Sequence, residues 1–375
     1  MSQFEKSKNT DHGKYRLIFL LRDAGEGGAE RSSLRLANAL ARRGHEARVF
    51  FLKAEGPMLS GVDNKIEIVD LKGSFFNFFS SLRARRADFL LPVYTSMRAL
   101  MAKRFMRSPE IAGMKVILSQ RNMFTMDRGP IQTRLKFLRC SLLYPYASAV
   151  VCISRGVADE MKTLGLTEPR KIRVIYNPVL NDDLSAQIDA PPDHPWFAAG
   201  EPPVLLGVGR LGDQKDFASL IWAFALLAPK NPDLRLMILG EGKERGRLES
   251  LLREMKLTER ASLPGYAPNP YPYMKHAALF VLTSRFEGFG NVVAEALACG
   301  CNVVSTDCKS GPAEILDGGK YGRLAKVGDE HDIARAIEEA LADPIDANLL
   351  RERAAFFSEE RAVNEYERLF DELRG

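Results

Sequence analysis

The sequence predicts an α/β protein with two doubly wound parallel sheets in two domains. At 375 residues the chain is too long for one ordinary domain, and with 46% hydrophobic residues it can fill two cores. Short apolar runs alternate with helical segments, which is typical of mostly parallel sheets. Residues 179–203 are acidic and proline-rich and separate two such series, as an interdomain linker does.

The first series starts with a βαβ unit around a glycine-rich turn at residues 25–32. The predicted elements are strands over residues 15–21, 45–52, 115–122 and 149–154 and helices over 33–43 and 129–144. The glycines of the turn do not have the G-x-G-x-x-G spacing of dinucleotide-binding proteins, so we do not expect a dehydrogenase.

The second series repeats the alternation with different loops. Its predicted elements are strands over residues 204–209, 234–239, 261–266, 278–284 and 302–306 and helices over 218–228, 244–255, 291–298, 330–341 and 346–373. Arg210 and Lys215 follow the first of these strands. An arginine fork and a lysine point charge at the carboxyl end of a strand can bind a diphosphate from two sides.

A glycine-punctuated turn and a short helix follow the strand at 278–284. Gly288 and Gly290 let the backbone bend and approach a ligand closely, and Asn291 is the predicted N-cap of the helix. Free amides at a helix start suit phosphate oxygens. Glu287 and Glu295 can accept hydrogen bonds from sugar hydroxyls at two ends of one ligand.

The net charge of +5 is unevenly distributed. Residues 1–180 contain 31 Lys+Arg against 16 Asp+Glu, a net charge of +15, and residues 181–375 contain 22 against 32, a net charge of −10. A nucleic-acid-binding protein could use the basic half. No recognition motif or aromatic platform of that type is present, so we expect no nucleic-acid partner.

Residues 73–86 combine four phenylalanines with three arginines. The cluster Phe75 to Phe79 fits the interface of an anionic membrane, and it fits equally a core helix with a solvated basic face. The positive charge of the whole half favours the membrane. Further basic residues follow at Lys103, Arg104, Arg107, Arg128, Arg134, Lys136 and Arg139.

No stretch approaches the roughly 20 apolar residues of a membrane-spanning helix, and the first residues are polar without an apolar signal core. We therefore expect a soluble cytosolic protein. The cysteines form no CxxC pair and have no nearby histidine, so we expect reduced thiols in the core. They are Cys140, Cys152, Cys299, Cys301 and Cys308.

Several motifs together resemble those of the retaining glycosyltransferases of family 4. Glu287 and Glu295 match the two glutamates of the E-x7-E signature, residues 25–31 resemble the G-x-G-G-A-E-R loop, and residues 209–215 resemble G-R-L-x-x-x-K. The resemblance implies the GT-B fold, in which two Rossmann-like domains face each other across a cleft and the C-terminal helix crosses back to the N-terminal domain. The implied parts are an acceptor-binding domain at 1–178, a linker at 179–203, a nucleotide-sugar-binding domain at 204–355 and a final helix at 356–375.

The resemblance also implies roles for single residues. Glu287 would contact the transferred sugar and Glu295 the ribose, and Arg210 and Lys215 would bind the diphosphate; Glu287, Arg210 and Lys215 form the predicted catalytic set. Asp216 stands where the family usually has glycine. Further predicted donor-binding residues are Gly27, Gly28, Gly240, Gly242, Gly265, Tyr266, Gly288, Phe289, Gly290 and Asn291.

The strand at 115–122 ends in what resembles the family's S-E-R-N variant, with Gln120 in place of glutamate. This makes Arg121 and Asn122 candidates for contact with the sugar or the acceptor. None of the five histidines matches the place where many family members carry one, so we do not expect a histidine-assisted mechanism.

The implied activity is transfer, with retention, of a hexose or N-acetylhexosamine from a nucleotide sugar, with UDP as the first choice of carrier and GDP as the second. The acceptor would be a lipid-linked glycan or similar polysaccharide, and the enzyme cytoplasmic or peripheral on the inner membrane face. The chain contains no Asp-x-Asp motif, so we expect no metal and no cofactor. The alternatives are a nucleotide-sugar epimerase of the same fold, a non-enzymatic nucleic-acid- or membrane-binding protein, and a non-catalytic scaffold.

Overall fold

The computed structural model describes residues 13–25, 27–93, 99–101, 109–124, 130–180 and 184–375. The chain divides into two compact units. The first consists of Met1–Ser119, Leu138–Val151 and Glu360–Gly375, and the second of Gln120–Phe137 and Cys152–Glu359. The domain boundaries expected at 178 and 203 stay a prediction.

The first unit is built on a sheet with the strand order β3-β2-β1-β4-β5-β6. Its strands are β1 (Arg16–Leu21), β2 (Glu46–Phe51), β3 (Glu67–Asp70), β4 (Phe89–Pro92), β5 (Lys115–Gln120) and β6 (Ala149–Cys152). The pairs from β3 to β5 are parallel. Strands β1 and β4 are buried along almost their whole length, as expected for a sheet covered on both faces.

Helices connect these strands. They are α1 (Gly28–Arg42), α2 (Phe75–Ala84), α3 (Pro109–Ala112) and α4 (Pro130–Leu143), of which α4 begins in the second unit. Helix α1 begins at Gly28, five residues before the predicted start at Ser33. Its N-cap is Gly27, which has extended backbone angles, so the glycine-rich turn itself supplies the first helical residue.

The second unit contains a six-stranded sheet with the order β10-β9-β8-β11-β12-β13, in which all neighbours are parallel. The strands of this unit are β7 (Ile172–Val174), β8 (Val204–Val208), β9 (Arg235–Leu239), β10 (Ala261–Gly265), β11 (Leu279–Leu282), β12 (Val303–Thr306) and β13 (Arg323–Ala325). Because the strand order reverses between β8 and β11, the loops after these two strands diverge and leave a crevice at their carboxyl ends.

Helices of the second unit pack against this sheet and form two apolar cores with it. They are α5 (Arg155–Leu164), α6 (Leu184–Asp189), α7 (Phe217–Leu227), α8 (Arg245–Glu254), α9 (Tyr271–His276), α10 (Asn291–Ala298), α11 (Pro312–Ile315), α12 (Glu330–Ala342) and α13 (Ala347–Ala355). The last helix of the chain is α14 (Glu359–Arg374).

The prediction of one helix over residues 346–373 is wrong, because α13 and α14 are separate. Between them the Phe357 carbonyl accepts a hydrogen bond from the Val179 N–H at 3.0 Å, and the Glu359 N–H donates to the Leu180 carbonyl at 2.8 Å. These bonds replace helical ones, and the Phe357 ring is buried. The tertiary contact therefore overrides the local helical preference.

Helix α14 packs on the sheet of the first unit, as predicted. The Tyr15 hydroxyl hydrogen-bonds Asp371, and His45 Nε2 lies 3.1 Å from Glu367 Oε1. The Phe370 ring stacks on Phe89 with 4.5 Å between centroids. Tyr15 and His45 directly precede β1 and β2, so the helix covers the amino ends of these strands.

Within the described ranges, no helix is long and apolar enough to cross a membrane. All five cysteines are buried thiols. Burial raises the pKa of the Cys152, Cys301 and Cys308 thiols to about 12, so these side chains are neutral at physiological pH.

Candidate active site

A buried ion pair joins the loops that follow β8 and β11. Lys215 Nζ lies 2.7 Å from Glu287 Oε1, and the Ser284 hydroxyl donates to the same oxygen at 2.7 Å. Glu287 is 7% exposed. Because little water screens the two charges, their Coulomb attraction is stronger than in a surface salt bridge.

Backbone and side-chain bonds fix the same two loops against each other. The Arg285 N–H donates to the Gln214 carbonyl at 2.8 Å, and Gln214 Nε2 donates to the Phe286 carbonyl at 3.0 Å. The Thr283 hydroxyl donates to the Lys215 carbonyl at 3.0 Å. The geometry around Lys215 and Glu287 is therefore set by the fold before a ligand arrives.

Asp216, where the family usually has glycine, adopts left-handed backbone angles with φ 46° and ψ 47°. These angles are disfavoured for a residue with a side chain. The buried carboxylate accepts hydrogen bonds from Ser219 Oγ at 3.0 Å and Arg285 Nε at 3.1 Å. The two bonds compensate for the backbone angles and explain how aspartate is accommodated here.

Arg210 lies in the same loop as Lys215 and is exposed; no described residue forms a hydrogen bond or ion pair with its side chain. The backbone on either side of Arg210 packs against two glycines that are predicted to bind the donor. A Cβ atom at Gly240 would lie 1.9 Å from the Gly209 carbonyl oxygen, and one at Gly242 would lie 2.2 Å from that of Leu211. Packing thus requires glycine at both positions, and their contact with a donor stays a prediction.

The turn after Glu287 is packed as closely. A Cβ atom at Gly288 would lie 2.0 Å from the Arg121 carbonyl oxygen. The N-cap of α10 is Gly290, with φ 90°, and the prediction that Asn291 is the cap is wrong. Asn291 is the first helical residue, and its side-chain oxygen accepts a hydrogen bond from Asn177 Nδ2 at 2.9 Å. Only glycine takes these backbone angles easily, so the cap falls one residue earlier.

The acceptor candidates lie beside this turn. Arg121 Nη1 donates to Asn177 Oδ1 at 3.2 Å, which connects Arg121 through Asn177 to Asn291. Asn122 Oδ1 would lie 2.9 Å from a Cβ atom at Gly288. The structure therefore brings Arg121 and Asn122 together with the Glu287 turn inside the second unit, while their role stays a prediction.

The remaining predicted residues are more scattered. Glu295 is buried in α10, and the Tyr271 hydroxyl donates to its Oε1 at 3.4 Å. Tyr266 is 44% exposed just beyond the carboxyl end of β10, where the Gly265 carbonyl accepts a hydrogen bond from the Gly240 N–H at 2.7 Å. Gly27 and Gly28 belong to the first unit, at the start of α1.

Sequence reasoning missed several polar residues that hold the turn. Asn177 contacts both Arg121 and Asn291, and the Ser154 and Ser310 hydroxyls lie within hydrogen-bond distance of the Gly288 carbonyl and of each other. The Tyr176 hydroxyl hydrogen-bonds Glu314; burial and this bond raise the pKa of Tyr176. One signal in the sequence could have indicated Asn177. It is a polar residue between a strand and Pro178, and proline restricts the backbone of the residue before it.

Comparison with known proteins agrees with this architecture. The model of the family described as "Glycosyl transferases group 1" matches residues 193–356, and that of "Glycosyltransferase Family 4" matches residues 26–181. The lipopolysaccharide core biosynthesis glycosyltransferase LpsE of Rhizobium meliloti is 31% identical over 350 residues, which cover 92% of this chain and 93% of that protein.

A second relative is 37% identical over 208 residues, or 56% of this chain and 54% of its own length. It is the N-acetylgalactosamine-N,N'-diacetylbacillosaminyl-diphospho-undecaprenol 4-alpha-N-acetylgalactosaminyltransferase of Campylobacter jejuni. This match leaves nearly half of the relative uncovered. It supports the family and does not by itself establish a shared substrate.

Solved structures share the fold at low sequence identity. The Anabaena protein HepE, solved in complex with UDP and glucose, has a TM-score of 0.78 and 19% identity over 96% of this chain and 100% of its own. A glycosyltransferase from Rickettsia africae has a TM-score of 0.79 and 15% identity over 97% and 99%. Two family models and a relative matched along nearly its whole length lead to one conclusion: the chain belongs to glycosyltransferase family 4 and is a glycosyltransferase with the GT-B fold.

Proposed function

We propose that this glycosyltransferase moves a hexose or N-acetylhexosamine, with retention, from a UDP-sugar to a lipid-linked glycan in cell-surface polysaccharide synthesis. A GDP-sugar is the second choice of donor. The observation that carries the proposal is the buried Lys215–Glu287 pair at the carboxyl ends of β8 and β11, with the exposed Arg210 in the same loop.

The distribution of charge supports a nucleotide sugar as the donor. A nucleoside diphosphate needs compensating positive charge, and the C-terminal half has a net charge of −10, so general attraction of anions does not explain binding there. Arg210 offers a planar fork and Lys215 a point charge. The amides at the start of α10 add donors for phosphate oxygens. Together they form a local diphosphate site.

In the proposed reaction the bond from the anomeric carbon to the β-phosphate oxygen breaks, and the diphosphate keeps both electrons. The acceptor hydroxyl oxygen forms the new bond on the same face, and its proton goes to the departing phosphate. Arg210 and Lys215 stabilise the charge of the diphosphate. Glu287, held by Lys215 and Ser284, orients the sugar hydroxyls, and Glu295 accepts hydrogen bonds from the ribose.

Two relatives support the choice of donor and acceptor. The Campylobacter jejuni relative is named for transfer to a diphospho-undecaprenol-linked sugar, and HepE is solved with UDP and glucose. For the present chain, UDP-sugars and diphospho-undecaprenol-linked sugars are therefore the first donors and acceptors to test. Arg121 and Asn122, next to the Glu287 turn, are the proposed contacts to the sugar or acceptor.

Exposed apolar and basic side chains support an anionic membrane surface as a further partner. Helix α2 divides the phenylalanine cluster, because Phe78 is fully buried whereas Phe76 is 78% exposed. Helix α4 contains no acidic residue. It exposes the apolar side chains Leu135, Leu138 and Leu142 and the basic side chains Arg134 and Arg139. Lys103, Arg104, Arg107 and Arg128 lie outside the described residues.

Flotation with vesicles tests the membrane partner. We expect the protein to float with vesicles containing phosphatidylglycerol and not with pure phosphatidylcholine, because basic residues near an anionic surface each add about 1 kcal/mol. The double variant Leu138→Ser, Leu142→Ser should bind less. Equal flotation with both vesicle types, or none at low salt, would contradict this part of the proposal.

Ligand binding tests the donor. Thermal unfolding of the purified protein is measured with UDP, GDP, ADP and dTDP, because a ligand that binds the folded state raises the unfolding midpoint. We expect selective stabilisation by UDP, followed by release of UDP from one UDP-sugar. Selective stabilisation by GDP would move the donor to the second choice, and no shift with any of the four would contradict the proposed donor site.

A further inference from the structure

Two serine hydroxyls and one backbone carbonyl form a hydrogen-bonded group next to Glu287. Ser154 Oγ lies 2.9 Å and Ser310 Oγ 3.1 Å from the Gly288 carbonyl oxygen, and the two hydroxyl oxygens lie 2.6 Å apart. Because each hydroxyl has one proton, one serine donates to the carbonyl and the other donates to that serine. Ser154 is fully buried at the start of α5, and Ser310 lies in the loop between β12 and α11. Two segments far apart in sequence thus hold one peptide group of the Glu287 turn.

The surrounding backbone leaves this arrangement no room to shift. A Cβ atom at Gly156 would lie 2.9 Å from Ser310 Cβ, and one at Gly311 would lie 2.1 Å from the Phe289 carbonyl oxygen. Ser310 has φ 69°, a left-handed angle that glycine adopts more easily than serine. The backbone angle at position 310 therefore favours glycine. What serine contributes there is its hydroxyl group.

The orientation of the Gly288 carbonyl decides where the next N–H points. No cis peptide bond occurs in the described part of the chain, and in a trans peptide the C=O and the following N–H point in opposite directions. The Phe289 N–H therefore points away from both serines. Phe289 is 2% exposed, and none of the described residues accepts a hydrogen bond from this N–H. An N–H without a protein partner beside Glu287 is available to donate to an oxygen of a ligand.

We propose that Ser154 and Ser310 are positioning residues for the transfer reaction. By holding the Gly288 carbonyl they aim the Phe289 N–H at an oxygen of the bound nucleotide sugar, where the charge changes as the diphosphate leaves. The inference rests on the proposed function and deepens it. The serines act through the peptide group between Gly288 and Phe289.

The test separates positioning from folding by substituting Ser310→Gly. Glycine suits the left-handed backbone, so we expect an unchanged or higher unfolding midpoint, whereas the loss of the hydroxyl should lower kcat for UDP release from the UDP-sugar by about tenfold or more. The Kd for UDP should stay within about threefold, because the N–H matters most when charge develops. The matched control is Lys256→Gly, at an exposed left-handed position at the end of α8, with unchanged kcat.

A second variant, Ser154→Ala, tests whether the two hydroxyls act on the same carbonyl. The double variant should lose less activity than the product of the two single losses, because residues that share one partner are not additive. Wild-type kcat in Ser310→Gly, or a loss of kcat that only accompanies a lower unfolding midpoint, would overturn the inference while the donor site stands. A wild type that binds no UDP and no GDP would overturn the proposed function itself, and this inference with it.

Discussion

Two buried carboxylates, Glu287 and Glu367, each lie beside a basic nitrogen. Glu287 lies at the carboxyl ends of strands in one sheet, and Glu367 lies at the amino ends of strands in the other. Glu287 pairs with Lys215 at 2.7 Å after the carboxyl ends of β8 and β11. Glu367 lies on α14, 3.1 Å from the His45 ring nitrogen, at the amino ends of β1 and β2. Glu287 is 7% exposed and Glu367 3%. Burial and pairing alone therefore do not distinguish them.

The difference lies in what surrounds each carboxylate. Around Glu367 the contacts close a packed interface, since Tyr15, Phe89 and Phe370 fill the space between helix and sheet. Glu287 is followed closely in the chain by the N-terminus of α10, and the neighbouring loop contains the exposed Arg210. The carboxyl ends of parallel strands are where α/β proteins bind ligands. We infer that Glu287 serves the reaction and Glu367 serves stability.

The largest expected effect is on turnover. Glu287→Gln keeps the shape of the side chain and removes its charge, so the sugar is no longer oriented; we expect kcat to fall by about 100-fold or more with the Kd for UDP little changed. Steady-state kinetics and calorimetry measure the two values. Glu249→Gln, at a surface pair with Arg245, is the control. Unchanged turnover would remove Glu287 from the reaction.

The second effect is on stability. His45→Ala leaves a cavity and takes from Glu367 its hydrogen-bond partner, so we expect a loss of about 2–4 kcal/mol in the free energy of unfolding. UDP binding should not change. Denaturant unfolding and calorimetry are the measurements, with His276→Ala, an exposed histidine, as the control. If His45→Ala abolished UDP binding in a folded protein, the two carboxylates would not differ as inferred.

The third effect is on affinity. Lys215→Ala removes one of the two cations proposed for the diphosphate, so we expect the Kd for UDP to rise about tenfold, equal to about 1.4 kcal/mol. Lys243→Ala is the matched control, because this exposed lysine pairs with Asp213 at the surface. Calorimetry with UDP gives both values. Equal affinity in wild type and Lys215→Ala would contradict the diphosphate site.

The smallest effect is expected for Asp216→Gly. Glycine relieves the left-handed backbone angles but loses the bonds to Ser219 and Arg285, and these changes oppose each other. We expect the free energy of unfolding to change by less than about 1 kcal/mol and kcat by less than about threefold. A large loss of kcat would show that the Asp216–Arg285 bond supports the Glu287 turn.

Much of the fold could be predicted because the local patterns are strong. The apolar runs of β8, β9 and β11 and the helix from Asn291 to Ala298 lie where the periodicity places them. The departures have two causes, which are glycines within a turn and hydrogen bonds from a distant part of the chain. Gly290 takes the cap from Asn291, the early start of α1 uses Gly27, and the bonds of Phe357 and Glu359 with residues 179 and 180 divide the last helix.

The sequence by itself determined the α/β class, the alternation of elements and the choice of Arg210, Lys215 and Glu287 as candidate site residues, because these depend on short-range spacing and residue chemistry. Only the tertiary structure decided which polar groups meet. Asn177, Ser154 and Ser310 lie far from Glu287 along the chain, yet they reach its turn through contacts that no local pattern records. Spacing within one segment fixes a motif, and the packing of distant backbones fixes the atoms that hold it in place.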